Sequence, residues 1–296
     1  MNISKIISSE LNVKDTQVDA AIALLDEGCT VPFISRYRKE ATGGLNDEEL
    51  RHLYERLVYL RELEDRKETI LATIKEQGKL TKELKKEIDD AMTMVTLEDL
   101  YRPYKPKKKT RASVAKAKGL EPLANVIWEQ KAKQKIETYA KKYIDKKLGV
   151  ESIEDAIAGA LDIIAEMISD VADYRTWIRE FTISTGLIAS TTKDPETKSN
   201  YEQYYNYSEL VSKIPPHRIL AINRGENEKI LKVTIEINHD DVIRYLKEQI
   251  IKEDNKFTTP YLEKAIIDSF DRLIYPSIEN EVRNILTTKA EDAINF

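Results

Sequence analysis

The densest chemistry in this sequence is cationic. Lys105, Lys107, Lys108, Lys109 and Arg111 follow one another with no acid between them, just after Tyr101-Arg102-Pro103-Tyr104. Ammonium and guanidinium groups at this density neutralise phosphates and release counterions, or dock an acidic partner surface. Pro103 and Pro106 cannot donate backbone hydrogen bonds, and each biases its preceding residue away from the α region. The spacing therefore predicts an extended, non-helical strap over 101–118 that carries the cations. The competing reading is a solvated linker whose lysines only keep it soluble. A second set follows: on a helix, Lys131, Lys135, Lys142 and Lys146 fall near one face, opposite Ile136, Tyr139, Tyr143 and Ile144. The candidate phosphate ligands are thus Lys105, Lys107, Lys108, Lys109 and Arg111 first, and Lys131, Lys135 and Lys142 second.

Net charge sharpens this reading. The chain carries −5 overall, which excludes a uniformly basic nucleic-acid binder, yet Arg102 to Lys147 holds 15 Lys or Arg against 4 Asp or Glu. That segment is +11 and the remainder −16, so one surface can attract polyanions while the molecule stays acidic.

Other constellations are weaker. Asp162, Glu166 and Asp170 recur every fourth residue and share a helical face; they are either Mg²⁺ ligands or, more simply, a charged face pairing with arginines such as Arg175 and Arg179. Arg36, Arg38 and Lys39 reach either phosphate or acids on neighbouring helices, the second being favoured. Tyr201, Tyr204, Tyr205 and Tyr207 either stack on single-stranded bases or pack at a helix junction with wet hydroxyls, again the second being favoured. Phosphate-cradling, dinucleotide-binding, zincin and nucleophile-elbow motifs are absent, and His52, His217 and His239 are scattered. Cys29 is the only cysteine, which excludes an internal disulfide and a cysteine zinc site. No enzyme, metal or cofactor is expected. The first residues lack the apolar run of a signal peptide, and no stretch approaches the ~18–20 apolar residues of a membrane span, so a soluble cytoplasmic protein is expected.

The elements that position these groups read as helices. Gly and Pro number 9 each in 296 residues, and 33% of residues are charged, a composition of long helices and few turns. Asp15–Leu25 reads as a short helix ended by Gly28. Asn46 with Glu49 forms a capping box. From it runs an amphipathic helix of about eight turns, with Leu50, Leu53, Leu57, Leu60, Leu63, Ile70 and Ile74 inward, stopped at Gly78. Thr81 caps a second helix that turns Leu84, Ile88, Ala91 and Val95 inward. Helices follow from Gly119-Leu120-Glu121-Pro122, from Ser152 (Ile157, Leu161, Ile164, Ile168 and Val171 buried) and over Asp173–Thr185. The last two, meeting near Asp173, resemble a helix-turn-helix. Pro215-Pro216 opens a further helix that Gly225 stops. Lys229–Ile237 alternates as a strand with no partner in the chain. Asp240–Lys252 and Pro260–Asn295 return to helix.

Four long stretches resemble the Tex family: Thr30-Val31-Pro32-Phe33-Ile34-Ser35-Arg36-Tyr37-Arg38-Lys39-Glu40 with Gly43-Gly44-Leu45; Leu97-Glu98-Asp99-Leu100-Tyr101 through Lys109-Thr110-Arg111-Ala112; Gly119-Leu120-Glu121-Pro122-Leu123-Ala124; and His217-Arg218-Ile219-Leu220-Ala221-Ile222-Asn223-Arg224-Gly225-Glu226. The resemblance implies a bacterial transcription accessory protein that binds nucleic acid, similar to the core of a eukaryotic elongation factor that also handles histones. It implies a helical N-terminal region with helix-turn-helix elements, followed by RNase H-like, helix-hairpin-helix and S1 domains. Nothing here resembles those later domains, so an N-terminal fragment is expected, with the unpaired strand covered by the part beyond it. The family's nucleic-acid binding is credited largely to the S1 domain.

The expected fold is mainly α: an elongated multi-helix array with long amphipathic helices, helix-turn-helix-like elements and at most one minor β element. Its expected divisions are an N-terminal helical domain (1–100), the Pro/Lys-rich strap (101–118), a central helical region (119–228), and a short strand with C-terminal helices (229–296). The expected function is non-sequence-specific binding of single-stranded RNA or DNA through phosphate contacts. Its expected partners are nucleic acid, the transcription machinery and the parent protein's downstream domains, with no membrane. The alternative is a helical scaffold that supports missing nucleic-acid-binding domains, with Tyr101 and Tyr104 as packing anchors.

Overall fold

In the computed structural model, which describes residues 1–294, the chain forms two units, Met1–Tyr104 and Lys105–Phe296, each with its own hydrophobic core. It is mainly α, with one small antiparallel sheet.

The first unit is organised by its longest helix. α1 (Ile3–Leu11) starts at Asn2, whose side chain accepts from the Lys5 amide, and α2 (Asp15–Asp26) follows a left-handed Asn12. Thr30 caps α3 (Val31–Tyr37), with Pro32 in its first turn, and α4 (Lys39–Thr42) ends at Gly43 in the left-handed region. α5 (Asp47–Glu76) opens on the expected box: Asn46 accepts from the Glu49 amide at 2.8 Å, and Glu49 from the Asn46 amide at 3.2 Å. Leu50, Leu53, Leu57, Leu60, Leu63, Ile70 and Ile74 are buried along its whole length. The next helix is shorter than its periodicity suggests. α6 (Lys82–Asp90) stops where Ala91 turns extended, and Thr93 caps a separate α7 (Met94–Tyr101). The Asp89 carbonyl freed near that break accepts from Lys67 Nζ at 2.7 Å. Burial of Lys67 holds its ammonium below the usual lysine range, against the attraction of Asp89, Glu64 and Asp90.

In the second unit the strap is short. A 3₁₀ turn at Arg102–Tyr104 precedes it, irregular backbone runs from Lys105 to Thr110, and α8 (Arg111–Ala117) begins at once. The expectation of extended chain over 101–118 is thus corrected: Thr110 and Ser113 form a reciprocal cap whose energy the proline argument left out. α9 (Glu121–Glu129) ends at Gln130, φ 61°. Only α10 (Ile136–Ala140) and a 3₁₀ turn at Lys141–Tyr143 follow, so no continuous basic helix exists over 131–146. The cause is tertiary: Gln130 donates to the Ile250 carbonyl at 2.8 Å and accepts from the Lys252 amide at 2.9 Å, while Asn255 donates to the Ala132 carbonyl.

α11 (Ile153–Ser169) is the centre of this unit. Ala156, Ile157, Ala160, Ile163, Ile164, Ala165 and Ile168 are buried, a wider surface than one stripe, and α8, α9, α10 and α15 (Thr259–Asp268) pack against it. Gly159 lets α9 approach, since a β-carbon there would lie 2.3 Å from Leu120 Cδ1. α12 (Ala172–Thr185) follows after two residues. Its Arg175 and Arg179 are buried and reach Glu281 at 3.4 and 2.8 Å, and its exposed positions are Asp173, Glu180, Ser184 and Thr185. It presents no exposed cation to a DNA groove.

The strand Lys229–Ile237 does have partners, which corrects the expectation of an orphan. β1 (Leu187–Thr191) lies between β2 (Asn206–Leu210) and β3 (Lys232–Glu236), all antiparallel, with Ile188 opposite Glu209 and Ile235. α13 (Pro216–Asn227) intervenes before β3. It passes through Gly225 instead of stopping there, and a β-carbon at that position would lie 2.5 Å from Leu231 Cδ1. Along the outer edge of β3, the Ile235 amide donates to Glu279, and the Ile235 carbonyl accepts from the Tyr275 hydroxyl. α14 (His239–Ile250) precedes α15, which runs through a π-helical stretch, Ser269–Ile274, into α16 (Tyr275–Ile294). Pro276 explains the widened turn: it donates no hydrogen bond and its ring displaces the carbonyl one turn back.

Candidate nucleic-acid interface

The basic signature divides in two. Its aromatic start is structural and belongs to the first unit. Tyr101 is 7% exposed beneath the Arg66 guanidinium, which itself pairs with Glu98 at 2.6 Å. Tyr104 is half-buried, and its carbonyl accepts from Gln77 at 2.8 Å.

The cations that follow belong to the second unit, and one of them is pinned. Lys107 pairs with Glu166 at 3.1 Å and with Asp170, its side chain only 26% exposed. The Thr110 hydroxyl donates to Glu166 at 2.9 Å. Lys105, Lys108, Lys109 and Arg111 are exposed, and among the described residues none lies within 4 Å of a carboxylate. Lys107 is therefore a tether that ties the strap to α11, and its neighbours are left to solvent.

This pairing also answers the question raised by Asp162, Glu166 and Asp170. Glu166 and Asp170 are shared by Lys107, and Asp162 faces Arg272 at 3.8 Å. Arg175 and Arg179 also reach a further acid, Glu281. Among the described residues no cluster of His, Cys, Asp or Glu is arranged to hold a metal ion. Burial raises the Asp162 carboxyl above its usual range, opposed by Arg272, Arg111 and Lys118.

Arg111 and Lys109 line an open groove of about 540 Å³ between α8 and the N-terminal half of α11, together with Lys118, Gly149, Asp155 and Asp162. Its floor is apolar and small: Ala115, Ala158 and Gly159. At one end stands the turn Lys146-Lys147-Leu148-Gly149, closed by the antiparallel bridge between Asp145 and Val150. Gly149 takes φ 87°, and a β-carbon there would touch Lys118 Cε at 3.5 Å, so the turn and Lys118 lie together. Lys146 and Lys147 are exposed and without an acid partner among the described residues.

The structure thus gathers Lys109 and Arg111 with Lys118 and the Lys146–Lys147 turn. Sequence spacing does not single out Lys118; only the fold brings it beside the 146–149 turn. Lys131, Lys135 and Lys142 are exposed and unpaired among the described residues, but none lines this groove. Lys131 lies in the irregular segment after Gln130, Lys135 precedes α10, and Lys142 is in the 3₁₀ turn.

The tyrosine cluster lies by the sheet and the end of α13: Tyr207 stands in β2, and Tyr201 packs beside Gly225. Tyr201 and Tyr204 are 8% and 4% exposed. Three of the four hydroxyls are satisfied by protein: Tyr201 by Glu228, Tyr205 by the Thr197 carbonyl, Tyr207 by Glu209. They offer no stacking platform.

The chain thus forms two helical units, the second bearing an open groove lined by Lys109, Arg111 and Lys118 together with Asp155 and Asp162. The chain belongs to the Tex family. The Tex-like protein N-terminal domain matches residues 1–75, and the Tex central region matches residues 131–295. The chain is 45% identical over 289 residues to a Bacillus subtilis protein, YdcI, covering 97% of this chain and 40% of that one. It is 39% identical over 305 residues to the transcriptional accessory protein Tex of Neisseria gonorrhoeae, covering 99% and 40%. To human S1 RNA-binding domain-containing protein 1 it is 30% identical over 303 residues, covering 97% and 30%. The chain therefore spans about 40% of the length of these two bacterial relatives.

Proposed function

We propose that this chain contributes non-sequence-specific nucleic-acid binding to a transcription accessory protein, with the α8–α11 groove as a phosphate-binding surface. One observation carries the reading: among the described residues, Lys107 is the one cation of the five in the basic run with a carboxylate within 4 Å, and Lys109 and Arg111 line a groove with Lys118. Exposed cations on fixed backbone neutralise phosphates without reading bases. Lys105 and Lys108 extend the surface at the strap, and Lys131, Lys135 and Lys142 add outlying phosphate ligands. The role in transcription follows from the name of the gonococcal relative, and the choice of RNA as the probe from that of the human one. The protein acts in the cytoplasm, by binding and without a catalytic step or cofactor; among the described residues no helix is long and apolar enough to cross a membrane.

The test is fluorescence anisotropy with a labelled single-stranded RNA across a salt series. The wild type is compared with a K108A/K109A/R111A/K118A variant. Each phosphate left without its cation flattens the log–log salt slope by about 0.7, so four flatten it by up to about 2.8. An unchanged slope overturns the assignment of the groove. Absence of binding at low salt by the folded wild type overturns the function. It would leave the scaffold reading, which the buried Tyr101 and the engaged Lys107 favour.

A further inference from the structure

The first unit carries a surface that its own packing does not explain. α3 turns Ile34 and Ser35 inward and Phe33, Arg36 and Tyr37 outward, at the i, i+3, i+4 spacing of one helical face. Large aromatic side chains normally turn inward, yet Phe33 is 37% exposed and Tyr37 65%. Their rings are neighbours, with centroids 5.3 Å apart, and the Arg38 guanidinium lies 5.0 Å over the Phe33 ring. Sequence alone favours ion pairs for the three cations here. The structure gives none: among the described residues Arg36, Arg38 and Lys39 have no carboxylate within 4 Å, and Arg38 donates only to the Tyr37 carbonyl. From Gly28 to Lys39 there is no acid at all. The segment is also held in place. Gln17 donates to the Thr42 and Gly43 carbonyls at 3.1 and 3.2 Å, and Gly43, at φ 66°, has no room for a β-carbon beside Gln17.

We infer that this face of α3 is a second binding site, for single-stranded nucleic acid, distinct from the groove of the other unit. Two exposed rings beside three unpaired cations offer both things a single strand presents, flat unpaired bases and phosphates. A duplex presents phosphates and base edges but no open base face, since its bases are stacked. An acidic protein segment matches the charge but gives no reason for Tyr37 to be two-thirds exposed. Bases stack on Phe33 and Tyr37, while Arg36 and Lys39 take the flanking phosphates; Arg38 stays over Phe33 and stiffens it.

The experiment uses the full chain with 5-iodouracil-substituted oligo(U), photocrosslinked and mapped by mass spectrometry. Anisotropy is measured in parallel on Y37A, on R36A/K39A, and on the groove variant of the other unit. Expected are crosslinks to Phe33 or Tyr37, persisting in the groove variant. Y37A weakens binding by about 5- to 100-fold for each unstacked base. R36A/K39A flattens the salt slope by about 1.4. Because Tyr37, Arg36 and Lys39 are exposed, circular dichroism of these variants should match the wild type. Crosslinks confined to 105–147 overturn the α3 site while the groove reading stands. Duplex RNA that binds with the same sensitivity to Y37A overturns base stacking. Displacement of oligo(U) from α3 by poly-glutamate with Y37A unaffected reassigns the face to an acidic protein. No binding to any oligonucleotide overturns both sites.

Discussion

Lys107 separates a phosphate ligand from a structural tether, and the two roles predict different measurements. Its ammonium joins two carboxylates one helical turn apart, on side chains only 19% and 14% exposed. Lys107→Ala leaves Glu166 and Asp170 facing each other with one cation fewer, and frees the chain before α8. Hydrogen bonds to charged partners contribute about 1.5–3 kcal/mol. Solvent reaches Lys107, whose side chain is 26% exposed, so about 1–2 kcal/mol is the reasonable loss. For a unit of this size that lowers Tm by about 2–8 °C. The neighbouring Lys108→Ala removes an exposed, unpaired side chain and should stay within about 0.5 kcal/mol. The assay is thermal unfolding followed by tryptophan fluorescence, since Trp128 and Trp177 both lie in the second unit. A double-mutant cycle with Glu166→Gln then isolates the pair. Equal melting temperatures for K107A and K108A, or a coupling energy near zero, would refute the tether. The binding assay gives the complement: K108A flattens the salt slope, whereas K107A on the folded protein leaves it nearly unchanged.

Three further outcomes follow from the same packing. Glu281→Ala removes a carboxylate shared by two guanidiniums that are 1% and 8% exposed; removal of one partner of a buried pair costs about 3–5 kcal/mol. The lower end is expected from denaturant unfolding, because Ser277 and the Ser169 carbonyl still serve Arg175. Gly159→Ala gains about 1 kcal/mol of helix propensity but drives a methyl into Leu120, an overpacking cost of about 1–3 kcal/mol, so Tm falls, and falls further for Gly159→Val. Asp162→Asn is the pH test. Burial raises the folded carboxyl above its unfolded value near ~3.9, so the folded state holds the extra proton and wild-type stability falls as pH rises through that window. The asparagine variant escapes that fall: it should match the wild type below about pH 4 and be the more stable at neutral pH. It should also bind RNA more tightly, having removed an acid from the groove.

What the sequence determined by itself was local. Caps and periodicity placed α2, α5, α9, α11 and α12, because an N-cap side chain and an i, i+4 apolar row act within a few residues of themselves. Charge counting located the basic stretch, and the four long signatures located the family. Tertiary contacts decided the rest. The partner of β3 is β1, about 45 residues upstream, and β2 pairs on the far side of β1; both are short strands whose five residues each carry too little alternation to announce themselves. Gln130, reaching residues 120 positions away, ended α9 and broke the basic helix that local spacing allowed. Above all, which cations are free is not a property of their spacing. Lys107 and Lys108 are adjacent and chemically identical, and only the approach of Glu166 and Asp170, 59 and 63 residues away, makes one a tether and leaves the other to solvent.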